Sequence, residues 1–298
     1  MKRTFGFLCL ALTLLAPPLF PAQPSAAPKG KGTGKKGTAA APLPAPTEKQ
    51  VYKEVEGKSL EIWIWKPANW SAKDKHSAIV FYHGGGWRNG SPNAFARQSA
   101  KLAEKGMVAF SVQYRLTSQA GVTIVDCVKD AKSAFRWVRA HANELGIDPA
   151  KIAAGGGSAG GHLAAALATL DAINDPKDDN KISTMPAALV LFNPAVRLNF
   201  ARAQEASNTR TPESVAAVSP YEHVKKGHPP TIIFHGEDDT TVPIQSVRDY
   251  GQKVASLDGS CTVVGFDGQV HSFFNREPFV WDTLKQAEAF LKKHQLLE

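Results

Sequence analysis

Ile152-Ala153-Ala154-Gly155-Gly156-Gly157-Ser158-Ala159-Gly160-Gly161-His162-Leu163-Ala164-Ala165-Ala166-Leu167 decides the reading of this chain. Ile152 to Ala154 has the look of a short buried strand, and the run from His162 that of a helix. Between them a serine stands among glycines, on a turn that small residues let the backbone make sharply. That turn puts Ser158 at a helix N-terminus, where free N–H groups and the helix dipole favour a developing negative charge. Taken alone, the run also fits a glycine-rich turn with a decorative serine.

A second run belongs with the first. His83-Gly84-Gly85-Gly86-Trp87 follows Ala78-Ile79-Val80-Phe81-Tyr82, a continuous apolar strand in pattern. Its glycines leave backbone amides uncovered by side chains. The amides of Gly85 and Gly86, with that of Ala159, are candidates to hold an oxyanion. Together the two runs point to acyl transfer with a serine nucleophile.

Outward from these runs the pattern alternates. Strands are expected at 60–65, 78–82, 107–112, 152–154, 187–192, 231–234 and 261–266. Helices are expected at 93–105, 122–145, from the serine turn to about 170, and at 242–257 and 283–297. Such alternation implies an α/β fold, a mostly parallel sheet with helices on both faces, whose reactive groups collect at the carboxyl ends of the strands. Polar residues fall at four such ends: His83 to Gly86, Ser158, His235 to Asp239, and His271.

A serine hydroxyl is a poor nucleophile until a base takes its proton, and an acid must hold that base in the right tautomer. His271, on a loop after the last strand and just before Ser272-Phe273-Phe274, is the candidate base. His162 is on the first turn after the serine, and His83 and His235 belong to glycine motifs, so they are weaker candidates. In His235-Gly236-Glu237-Asp238-Asp239-Thr240-Thr241-Val242-Pro243 two aspartates compete for the acid, with helix capping the alternative for either. No pair of histidines flanks a glutamate at metal-binding spacing, and no dinucleotide fingerprint is clean, so neither metal nor cofactor is expected.

The N-terminal residues read differently. Residues 1–27 have the basic start, apolar run and Pro/Ala-rich end of a secretory signal peptide, too short to span a bilayer stably, so export without stable membrane insertion is expected. Residues 28–50, rich in Lys, Gly, Pro and Ala, read as a disordered tether, and 51–298 as one catalytic domain. The net charge of +8 belongs mostly to this leader: the first 50 residues carry 7 Lys+Arg and 1 acid, leaving 28 against 26. A nucleic-acid partner is therefore not indicated. Outside the cytoplasm a Cys127–Cys261 disulfide is permitted, but sequence does not give the distance between them.

These runs resemble the α/β-hydrolase-fold serine esterases, and within them secreted acetyl-xylan or carbohydrate esterases and hormone-sensitive-lipase-like esterases. The resemblance covers about 51–295. It is carried by His83-Gly84-Gly85-Gly86-Trp87, Asp130 to Arg139, Gly157 to Ala164, His235-Gly236 to Val242-Pro243, and His271-Ser272-Phe273-Phe274. It implies the α/β-hydrolase fold and the order nucleophile Ser158, acid Asp239, base His271; the family's His-Gly-x-x-Asp-x-x-Val-Pro spacing puts the acid on Asp239. Where the family often has glycine beside the base, this chain has Val270. The segment 195–230, where such enzymes often insert a lid, is polar here, and a lipase usually presents an apolar surface. The expected substrates are therefore short-chain esters of small molecules or polysaccharides. Trp87, Phe273 and Phe274 are candidates to wall the acyl or sugar site, with core packing the alternative for each. A serine peptidase of prolyl-oligopeptidase type, or a binding protein on a hydrolase scaffold, are the competing readings.

Overall fold

Eight strands form one sheet in the order β1-β2-β4-β3-β5-β6-β7-β8. In chain order they are β1 (Glu48–Val55), β2 (Lys58–Trp65), β3 (His76–Tyr82), β4 (Val108–Val112), β5 (Ile147–Gly157), β6 (Leu189–Phe192), β7 (Thr231–Gly236) and β8 (Cys261–Phe266). The computed structural model describes residues 42–198 and 212–298. The expected signal peptide, and the expected tether up to residue 41, lie outside them.

Pairing is antiparallel at β1–β2 and β2–β4 and parallel from β4 through β3, β5, β6 and β7 to β8. The parallel strands are buried on both faces, which is why β3 reads as an unbroken apolar run. Ala78, Val80 and Tyr82 face one core cluster, while Ile79 and Phe81 face the other. The first cluster is closed by α2 (Ile124–Ala140), α3 (Ala159–Thr169) and α5 (Ile244–Ala255). The second is closed by α1 (Ala96–Glu104) and α6 (Phe279–Lys293). A short α4 (Pro212–Ala217) lies between β6 and β7 in the chain.

The expected boundary between tether and domain is corrected. Glu48 to Gln50, placed in the tether, are the first residues of edge strand β1. This strand shows little apolar periodicity because only Tyr52 is buried and Lys53 points at charge rather than into apolar core. Lys53 Nζ meets Asp130 Oδ1 at 2.8 Å and Asp175 Oδ2 at 2.7 Å. Asp130 is fully buried and also receives Arg115 Nε at 2.7 Å, so a polar network on α2 pins the edge strand. Cys127 and Cys261 are free thiols, and burial pushes the Cys261 thiol up to about 12.

Glycines set how closely β5 and α3 approach their neighbours. A Cβ on Gly160 would collide with the carbonyl oxygens of Tyr82 and His83, and one on Gly156 with the backbone of Gly160. A Cβ on Gly161 would stand 2.6 Å from Pro194 Cβ. Backbone cannot yield as a flexible side chain can, so Gly160→Ala is expected to lower stability by about 1–3 kcal/mol or more. Urea denaturation measures this; a midpoint equal to that of the unaltered chain would contradict the close approach.

Candidate active site

The serine turn is the most constrained backbone in the site. Ser158 has φ 53° and ψ −117°, a region that non-glycine residues rarely occupy. Hydrogen bonds hold it there. Its N–H donates to Phe192 O at 2.9 Å, and its carbonyl accepts from His162 N at 3.0 Å and Ala195 N at 3.1 Å. The half-buried hydroxyl projects between the carboxyl end of β5 and the start of α3.

The structure brings Ser158, His271 and Asp239 into one hydrogen-bonded chain. Ser158 Oγ donates to His271 Nε2 at 2.9 Å, and His271 Nδ1 donates to Asp239 Oδ2 at 2.7 Å. The three are supplied by the turns after β5, β7 and β8, strands that run parallel, with β6 lying between β5 and β7. An ionised carboxylate only accepts, so it fixes the neutral imidazole with its proton on Nδ1 and its lone pair on Nε2, toward the serine.

Asp239 is 5% exposed, whereas Asp238 is exposed and its backbone N–H donates to Gln269 O. The two oxygens of Asp239 carry different duties. Oδ1 accepts from the amides of Thr241 and Val242, both at 2.8 Å. Oδ2 accepts from His271 and lies 3.3 Å from His235 Nε2, whose shorter contact is to Val242 O at 2.7 Å. Burial alone would raise this carboxyl's pKa. Hydrogen bonds from His235, His271 and the Val242 amide outweigh it and hold the group well below the usual carboxylate range.

The glycine loop lies directly against the serine turn. A Cβ on Gly84 would stand 3.0 Å from Gly157 O and 3.4 Å from Ser158 Cβ. Gly85 and Gly86 have φ of 109° and 59°, and the Gly85 carbonyl turns inward to accept from Arg88 and Asn89. Among the described residues, the amides of Gly85, Gly86 and Ala159 donate to no protein acceptor. Behind them His83 stacks on Tyr114 at 4.2 Å, and the Tyr114 hydroxyl donates to His83 O at 2.8 Å.

All three aromatics expected as candidate wall residues lie in the core. Phe273 is fully buried among Phe266 and Phe279 in the second core cluster, so it offers no face to a substrate. Phe274 is likewise enclosed, and its ring sits where a Cβ on Gly157 would be. Trp87 is 6% exposed, and its indole N–H donates to His162 Nδ1 at 3.3 Å. Core packing explains all three aromatics. The polar residues Asn199, Arg202, Asn208 and Arg210 of the expected lid segment lie outside the described residues.

Two neighbours of the site escaped the sequence reading as participants. His235 touches the acid, although only its place in a glycine motif was noted. Asn193 directly follows β6, has φ 35° and is fully buried. Its Oδ1 accepts from Ser272 N at 3.0 Å. The rule that polar chemistry gathers at carboxyl strand ends would have found it, since the expected strand stopped at Phe192.

Comparison with known proteins agrees with this geometry. Residues 63–254 match the model of the BD-FAE family. The chain belongs to that family. By fold and family it groups with the α/β-hydrolase serine esterases. It is 42% identical to the apo form of esterase 2 from Thermogutta terrifontis, with a TM-score of 0.81, over 88% of this chain and 99% of that one. The same esterase bound to propionate aligns at 43% identity and TM-score 0.79, over 84% of this chain and 95% of that one. Its form phosphorylated by paraoxon aligns at 42% and 0.80, over 88% and 99%. Esterase LipC of Mycobacterium tuberculosis is 28% identical over 215 residues, 64% of this chain and 52% of the relative. The chain spans about half the length of the curated relatives it matches.

A carboxyl whose pKa is lower folded than unfolded stabilises the fold above its unfolded pKa of about 3.9, and that contribution is lost as pH falls below it. Asp239→Asn is therefore expected to lower the melting midpoint at pH 7, by a margin that narrows steadily below about pH 4. Calorimetry at pH 7, 5 and 3.5 measures this; a deficit independent of pH would contradict it.

Proposed function

We propose that this chain is an exported hydrolase of short-chain carboxylic esters that works through an acyl-enzyme on Ser158. The reading rests on one observation: the continuous hydrogen-bonded chain from Ser158 Oγ through His271 to buried Asp239, at 2.9 and 2.7 Å.

Ser158 Oγ attacks the ester carbonyl as His271 Nε2 takes its proton. Asp239 keeps the Nδ1 proton in place and balances the imidazolium charge. The developing oxyanion meets the amides of Gly85, Gly86 and Ala159, which among the described residues have no protein acceptor to give up and so are available without rearrangement. When the tetrahedral species collapses, the C–O bond to the alcohol breaks and the imidazolium returns its proton to the leaving oxygen. Water then gives a proton to Nε2 and attacks the acyl carbon. The second collapse breaks the bond to Oγ, which recovers the proton and releases the carboxylic acid.

Short acyl groups are favoured because the related esterase is described bound to propionate and to butyrate. The acetyl or carbohydrate preference comes from the polar segment between β6 and β7 and from the family resemblance. Export is supported by the basic and apolar pattern of residues 1–27.

Ser158→Ala is expected to cut hydrolysis of p-nitrophenyl acetate by about 10,000-fold or more while leaving the melting midpoint in place. It should also abolish one-to-one labelling by paraoxon, read as intact mass. Near-normal turnover by this variant would overturn the reading.

An acyl-length series of p-nitrophenyl esters, run beside acetylated xylan and a feruloyl ester, tests the substrate class. The expected result is a maximum of kcat/KM at two to four acyl carbons, about tenfold above the eight-carbon ester. A maximum at eight or more carbons would exclude the short-chain assignment. Acetate release from xylan no faster than in the Ser158→Ala control would exclude the polysaccharide one.

A further inference from the structure

The base of this site rides on a loop. Ser158 and Asp239 leave their strands within one or three residues, but His271 stands five residues beyond Phe266, the last residue of β8. The loop returns through a turn at Gly268, φ 68°, and Ser272, directly after the base, has φ 65°. Two anchors hold it from the β7 side. Gln269 O accepts from Asp238 N at 3.0 Å, and the Gln269 carbonyl lies where a Cβ on Gly236 would be. On the β6 side Ser272 N donates to Asn193 Oδ1 at 3.0 Å, the polar contact nearest the base, and two residues further on the Phe274 ring stacks on Phe192 at 4.7 Å.

Asn193 is itself fixed by the two strands that flank it. Its N–H donates to Phe234 O on β7 at 2.7 Å. One residue earlier, Phe192 O accepts from Ser158 N at 2.9 Å. Two residues later, Ala195 N donates to Ser158 O at 3.1 Å. A single segment of chain thus grips the nucleophile turn on one side and, through the Asn193 amide, the loop of the base on the other.

The chemistry of the amide is selective. Ser272 N–H is a donor, so the oxygen of the amide must face it, which leaves Nδ2 on the other side. Nδ2 is buried and, among the described residues, has no acceptor. An unsatisfied buried donor costs stability, as does the φ of 35° at a residue other than glycine. Leucine has the same number of side-chain heavy atoms and carries no donor to leave unsatisfied. What leucine lacks is the acceptor for Ser272.

We propose that Asn193 is a positioning residue for catalysis: its side-chain oxygen sets the loop that carries His271, and so the distance from Nε2 to Ser158 Oγ. It touches neither reacting atom and acts through the backbone of Ser272. The inference rests on the esterase reading above.

The test uses the full chain and the variants Asn193→Gly, Asn193→Asp and Asn193→Leu. Glycine tolerates the positive φ and removes the acceptor, aspartate keeps an oxygen at the Oδ1 position, and leucine is near-isosteric without one. With p-nitrophenyl acetate, Asn193→Gly and Asn193→Leu are expected to lose about 10- to 100-fold in kcat with KM within about twofold, the signature of a misplaced group rather than lost binding. Labelling of Ser158 by paraoxon should slow by the same factor. Asn193→Asp should recover most of the loss. Should the glycine variant fail to fold, the aspartate and leucine pair makes the same comparison. Wild-type kcat in either acceptor-free variant, or a loss shared equally by aspartate and leucine, would overturn the inference while an active parent chain leaves the esterase reading standing. An inert parent chain would instead remove both.

Discussion

Holding a serine at φ 53° costs the fold about 1–3 kcal/mol, and the surrounding chain must impose that geometry. The imposition comes from close packing. Gly156 and Gly160 let the start of α3 lie on the end of β3 with no side chain between them, and Gly84 lets the glycine loop touch the serine turn. With those contacts made, the Ser158 hydroxyl donates to His271, and the amides of Gly85, Gly86 and Ala159 have no protein acceptor among the described residues. The same small residues that permit the strained turn also form the surface against which an oxyanion would rest. Strain and electrostatics at this site therefore have a common origin in the absence of Cβ atoms.

Asp239 shows how the fold keeps a buried charge. A carboxylate this enclosed is stable only if its lone pairs are occupied. Two amides at the start of the following turn fill Oδ1, and imidazole groups flank Oδ2. Because the Oδ1 donors are backbone, the carboxylate cannot rotate to follow a moving histidine. The imidazole must come to it, and its direction of approach is set by the loop after β8. The acid is thus the fixed point of the chain of three side chains, and the base is the part that the fold has to aim.

The elements around the serine were legible in the sequence because their requirements are local. A strand, a glycine turn and a helix in sequence, or a histidine before three glycines, carry their own signatures. The choice between Asp238 and Asp239 was not local: it depended on family spacing, and in the structure on which carboxylate turns inward. Edge strand β1 was hidden because Tyr52 is its one buried residue, and the neighbouring Lys53 is held by charge, answering Asp130 across 77 positions of sequence. Phe273 and Trp87 misled for the opposite reason. Aromatics beside active residues are equally suited to core and wall, and only the burial of both faces decides. Asn193 was legible as a polar residue at a strand end, but its partner was not, because Ser272 reaches it only when the last loop folds back.

The histidines that flank the site without serving as its base clarify why the base stands alone. Burial pushes both His83 and His162 down to about 4, so both are neutral at ordinary pH. Neutrality is also what their hydrogen bonds require. His162 accepts from Trp87 on Nδ1 and donates to Val218 O from Nε2, two roles that only one neutral tautomer fills. His83 donates from Nδ1 to Gly84 O at 2.8 Å, bracing the glycine loop from behind. A proton added to His162 would leave the Trp87 indole N–H without its acceptor. By burying these imidazoles the fold uses them as rigid polar spacers, and it leaves His271 half-buried, with Nδ1 on Asp239 and Nε2 on Ser158.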